Sequence, residues 1–111
     1  MAKIPKRFTD FTKNYPDLAE AYEAFGKACH ASGPLDNRSR ALVKFAISVG
    51  ARLEGGAHAH VRKALAAGIS SQELRHIAFL AMPTIGFPAS MAAMSWIDDI
   101  VLETKPTRKK H

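Results

Sequence analysis

The chain reads as all-α, a bundle of about five helices. Three observations predict this. No segment alternates polar and apolar residues with period two. Apolar residues recur instead at i, i+3, i+4 and i+7, and helix start and stop signals fall between those runs in the right order. With 111 residues, 47% of them hydrophobic and 23% charged, the chain has the composition of one ordered globular domain.

The first helix is expected from Pro16, whose fixed φ suits a first turn, to about Ser32, where Gly33-Pro34 ends it. Its stripe is Leu18, Tyr22, Phe25 and Cys29, so the single cysteine reads as a core residue. One thiol makes no internal disulfide. Asp36 or Asn37 caps a second helix carrying Leu42, Ala46, Val49 and Leu53 on one row, widened by Val43, Phe45 and Ile47. A face that wide suits a central or interface helix. Gly55-Gly56 interrupts the pattern, and a third helix runs from Ala57 to about Ala67, with Gly68 as its stop. Ser70 and Glu73 form a capping box for a fourth helix with the stripe Leu74, Ile77, Ala78 and Ala81. Pro83 predicts a kink or an end near 81–84. Pro88 opens a fifth helix to about Glu103, lined by Ala89, Ala93, Trp96, Ile97 and Ile100, with Asp98 and Asp99 outward. The organisation is a basic N-terminal segment (1–15), a helical domain (16–103) and a basic C-terminal tail (104–111).

The net charge of +6 raises the question of nucleic acid. Half of the 16 basic residues lie in residues 1–13 and 103–111, with 2 of the 10 acidic ones, which leaves the body between them neutral. Without aromatic residues interleaved for base stacking, solvated tails are the better reading and nucleic acid is disfavoured as a partner. No apolar run approaches the roughly 20 residues of a membrane span. The N-terminal residues carry positive charge without an apolar h-region, so a cytoplasmic protein is expected.

The chemistry concentrates around Leu53-Glu54-Gly55-Gly56-Ala57-His58-Ala59-His60. Imidazole titrates closest to neutrality and suits proton transfer. Two positions apart on a helix is ~200°, so His58 and His60 point to opposite sides and do not form a metal clamp. No Cys/His cluster or H-E-x-x-H run exists, and neither a metal nor a cofactor is expected. Glu54 either interacts with a helix N-terminus or serves as an acid/base partner of His60. Arg40, Lys44, Arg52, Arg62 and Lys63 can supply charge for a carboxylate, the arginines in bidentate fashion.

Four segments in order then carry a resemblance: Leu35-Asp36-Asn37-Arg38-Ser39-Arg40-Ala41-Leu42, His60-Val61-Arg62-Lys63-Ala64-Leu65-Ala66-Ala67-Gly68, Ile69-Ser70-Ser71-Gln72-Glu73-Leu74 and Gly86-Phe87-Pro88-Ala89-Ser90-Met91-Ala92-Ala93. Across residues 35–102 the chain resembles the carboxymuconolactone decarboxylase family, which includes the alkyl hydroperoxidase D proteins. The resemblance implies an all-α fold around a central helical hairpin, assembled into homotrimers or homohexamers with sites near subunit contacts. The peroxidase branch looks like E-x11-C-x2-C-x3-H. With its histidine at His60, the cysteines fall on Leu53 and Gly56 and the glutamate on Ala41, so thiol peroxidase activity is disfavoured. The decarboxylase branch is similar and keeps the histidine and the G-x-P-A turn. It implies a cofactor-free lyase acting on a small anionic or lactone substrate, with His60 as general acid/base and Glu54 as partner. Arg40, Arg52 and His58 are the substrate-binding candidates. A non-catalytic oligomeric binding protein on the same scaffold is the competing reading.

Overall fold

The computed structural model describes residues 4–104, so most of the basic C-terminal tail lies outside the described residues. Within them are six α-helices and no strand: α1 (Lys6–Asn14), α2 (Pro16–Ala31), α3 (Asn37–Gly50), α4 (Glu54–Ala66), α5 (Ser71–Ile85) and α6 (Phe87–Thr104). The all-α expectation holds, with one helix more than the sequence pattern suggested. Chain contacts divide the molecule into two compact units, one ending at Asp36 and the other beginning at Asn37.

The first unit is α1 packed on α2. The additional helix, α1, follows from Phe8, Phe11 and Tyr15 at helical spacing, with the Phe11 and Tyr15 rings 5.6 Å apart. Lys6 and Asp10 pair one turn apart at 2.8 Å. Neither helix contains a buried residue. Leu18, Tyr22 and Phe25 are exposed, and so is Cys29, which corrects the expectation of a core cysteine. The stripe is present as read. In its own unit, however, α2 has only one short helix to pack against, too little surface to cover it.

The second unit holds the core. Helix α5 packs along α6 and α3 along α4, while α4 also meets α6 and α3 meets α5. Phe45 and Val49 of α3, Val61 of α4, Leu74 of α5, and Ile97 and Ile100 of α6 fill the space between the helices. Buried alanines at positions 57, 64, 78 and 93 let the helix axes approach closely. The stripe read for α5 is confirmed at Leu74, Ala78 and Ala81, and that for α6 at Ala89, Ala93, Ile97 and Ile100. Ser90 of α6 is fully buried, and its hydroxyl has no hydrogen-bond partner among the described residues, a cost of about 1–3 kcal/mol.

Helix ends follow the local signals with three corrections. The capping box forms as read: Ser70 Oγ accepts from the Glu73 N–H at 3.1 Å, and Glu73 Oε1 accepts from the Ser70 N–H at 2.9 Å. Glu73 also pairs with Arg38, tying the start of α3 to the start of α5. Gly68 has φ +93°, the left-handed conformation expected of a helix stop. The first correction is at Pro83, which lies inside α5; the helix continues to Ile85 and ends at Gly86, where φ is +108°. Pro83 withdraws one amide donor from the carbonyl of Phe79, four residues back, and the helix runs only two residues beyond it. The second is at Gly55-Gly56, which lie in the first turn of α4 and do not interrupt it. Amides of a first turn have no intrahelical partner, and Leu53 O already accepts from the Ala57 N–H at 2.7 Å. The third is the row on α3. Leu53 and Ala46 are exposed, because α3 stops at Gly50 and turns its Phe45, Ser48 and Val49 side inward.

Candidate functional site

The chain between α3 and α4 sets the geometry of the site. Leu53 N–H reaches back to Ser48 O at 3.0 Å and Arg52 N–H to Val49 O at 3.0 Å. This pair of bonds is a Schellman closure, in which the residue at the position of Arg52 adopts left-handed backbone. Glycine is usual there; Arg52 has φ +59°, alone among the described non-glycine residues. Left-handed backbone costs a side-chain-bearing residue about 1–2 kcal/mol. Arg52→Gly should therefore raise stability by about 0.5–1 kcal/mol, after the larger unfolded-state entropy of glycine offsets part of the relief. A thermal melt checks this, and a lowered midpoint would show that the Arg52 side chain itself stabilises the fold.

Helix α4 then presents its two histidines to different neighbours. His58 Nε2 lies 3.0 Å from Asp99 Oδ2 of α6. His60 is half-buried on the side of Lys44 of α3 and Lys63 of α4. Burial first, then the positive charges of Lys63 and Lys44, hold its pKa below the usual 6.5. At pH 7 the ring is neutral and able to accept a proton.

Glu54 belongs with His58. As the first residue of α4 it stands one turn before His58 on the same face, and its carboxylate lies within 4.8 Å of the donor atoms of His58 and Asp99. Six positions on, His60 is ~240° round the helix. Reading α4 from Ala57 hid this, because the i, i+4 relation appears only when the helix starts at Glu54. The Asp99 contact joins residues 41 positions apart and leaves no signal in local spacing. Asp98 likewise pairs across helices, with Arg75 of α5 at 2.5 Å.

The two arginine candidates occupy opposite ends of α3. Arg40 is in its first turn, where it donates to Asn37 Oδ1, and Arg52 lies beyond its last. Twelve residues at 1.5 Å rise separate them by roughly 18 Å, too far to grip one small carboxylate. Arg40 stands one turn before Lys44 on the same helix face, so it shares the side from which Lys44 acts on His60.

An all-α bundle with a half-buried histidine beside cations at the α3–α4 contact defines a class of small helical proteins. Residues 16–99 match the model of the carboxymuconolactone decarboxylase family, and the chain belongs to that family. It is similar to an uncharacterized protein of Haemophilus influenzae, 35% identical over 61 residues, which are 55% of this chain and 54% of that protein. The chain thus spans about half the length of the relative it matches. No helix among the described residues is long and apolar enough to cross a membrane.

Proposed function

We propose that the protein is a cofactor-free acid/base enzyme of the decarboxylase type, acting on a small anionic or lactone substrate through His60. The observation that carries this reading is the neutral, half-buried imidazole flanked by Lys44 and Lys63. Loss of CO₂ from a carboxylated unsaturated lactone sends the electron pair of the breaking C–C bond into the conjugated lactone, and a ring carbon then takes up a proton. The lysines attract the anionic substrate and stabilise the negative charge that develops on the lactone as neutral CO₂ departs. His60 carries the proton. A bound anion offsets the two cations that lower its pKa, so substrate binding itself makes the imidazole a better proton carrier.

Arg40 extends the cationic side by one turn and is the stronger of the two arginine candidates; Arg52 serves a longer substrate or none. Glu54 and His58 stand apart from this side. At the positions aligned with the peroxidase cysteines the chain has Leu53 and Gly56, so the thiol route lacks its nucleophile. The homotrimer or homohexamer of the family reading is supported by large apolar side chains left exposed, among them Ile47, Phe79, Leu80 and Phe87. Sedimentation velocity should show a discrete oligomer, and a monomer at micromolar concentration would refute it.

The test of the activity is the ultraviolet decay of 4-carboxymuconolactone with purified protein. Turnover supports the decarboxylase reading. No turnover of this lactone, together with measurable binding of it, favours the non-catalytic binding protein.

A further inference from the structure

We propose that Glu54, His58 and Asp99 form a binding site for one divalent first-row transition-metal ion, on the opposite side of α4 from His60. The three residues each offer a donor atom, and these atoms lie within 4.8 Å of one another. The His58 Nε2 to Asp99 Oδ2 separation of 3.0 Å is that of two neighbouring ligands around an ion about 2.1 Å from each. Two carboxylates and a neutral imidazole bring a charge of −2 to a dication. One nitrogen and two oxygens, without sulfur, suit Mn²⁺, Fe²⁺, Co²⁺ or Zn²⁺; Mg²⁺ and Ca²⁺ take all-oxygen shells.

The scaffold beneath is rigid. Ala57, between Glu54 and His58, is fully buried, and Ile97 and Ile100 anchor α6 on either side of Asp99. The ligands therefore stand on two packed helices, and only side-chain rotation is needed to close them on an ion. Above the packed layer the site opens to water: Glu54 is exposed, and the Asp99 side chain keeps 53% of its accessibility against 22% for His58. Three protein ligands leave positions for water or a substrate oxygen. The imidazole Nε2 of His58 serves Asp99, while the Glu54 carboxylate stands beside the second carboxylate. A cation relieves that repulsion.

The test uses the full chain, stripped with a chelator and titrated with Zn²⁺ by calorimetry and with Co²⁺ by its visible d–d bands. The expected result is one equivalent bound with a Kd on the order of micromolar. Glu54→Gln and Asp99→Asn, both exposed and isosteric, should each weaken binding by about tenfold or more, and His58→Gln should abolish it. Circular dichroism verifies that the variants fold. Absence of binding at millimolar metal overturns the proposal. So does binding that is unchanged in Glu54→Gln and Asp99→Asn, which would place the ion elsewhere on the chain. Metal binding is read without any turnover, and His60→Gln should retain it, so this site and the catalytic reading stand or fall separately.

Discussion

Replacing His60 by glutamine should lower kcat/KM by about 10²–10⁴-fold, while the control His76→Gln on the exposed side of α5 stays near wild type. The size follows from the role. Positioned proton transfer is worth that factor, and two to four decades correspond to about 3–5 kcal/mol of transition-state stabilisation. Glutamine keeps the volume and polarity of the ring but titrates nowhere near neutrality, so a packing role predicts a much smaller loss. The pH profile supplies a second readout. His60 is held below 6.5 by burial and by Lys63 and Lys44, and the protonated form is the one that delivers a proton to the ring carbon. The alkaline limb of kcat/KM, on which the free enzyme loses that proton, should therefore lie below pH 6.5. The limb of kcat, which reports the complex, should move upward, because the bound anion screens the two lysines. A limb above 6.5 in the free enzyme, or a His60→Gln enzyme within tenfold of wild type, would refute the assignment. The same depression has a stability consequence. Between its folded pKa and 6.5 the unfolded chain binds the proton more readily, so stability falls as pH drops through that interval and is unaffected above it.

The second large effect concerns the frame that holds His60. Phe45→Ala should cost about 3–5 kcal/mol, since Phe45 is fully buried on α3 among Val61, Leu74 and Ile97 and its removal leaves a void that packed helices close only in part. Total stabilities run about 5–15 kcal/mol, so the loss takes a large share of the whole. Phe25→Ala on α2 removes the same atoms from a side chain 65% exposed and should change stability by no more than about 0.5 kcal/mol. Urea denaturation of the two variants separates these cases. A Phe45→Ala cost under about 1 kcal/mol would mean that the α3 contact is not structural.

Much of this was legible in residue order. Ser70 and Glu73 announce their helix through two reciprocal bonds that depend on nothing distant, and Gly68 stops the preceding helix because its backbone needs a left-handed turn. The divergence of His58 and His60 is fixed by helix geometry once α4 is recognised. Other features depend on pairing across the fold. Asp99 carries no mark of His58, and Arg52 takes a conformation that its own side chain disfavours because α3 must close there. Cys29 shows the reverse failure: a regular apolar stripe specifies a face and says nothing of what will cover it. Glu54 was misplaced by three residues of helix, which was enough to assign it to the wrong histidine.

The absence of any buried residue from α1 and α2 gives this molecule two different lifetimes of order. Backbone amides of α3 to α6 are released to solvent only when the layer around Phe45, Leu74 and Ile97 comes apart, an event that requires the full cost of unfolding. Amides of α1 and α2 are guarded by little more than their own helical turns and open by fraying, many times for each opening of the core. A protease, or a partner that reads extended chain, therefore meets residues 4–36 long before it meets the site.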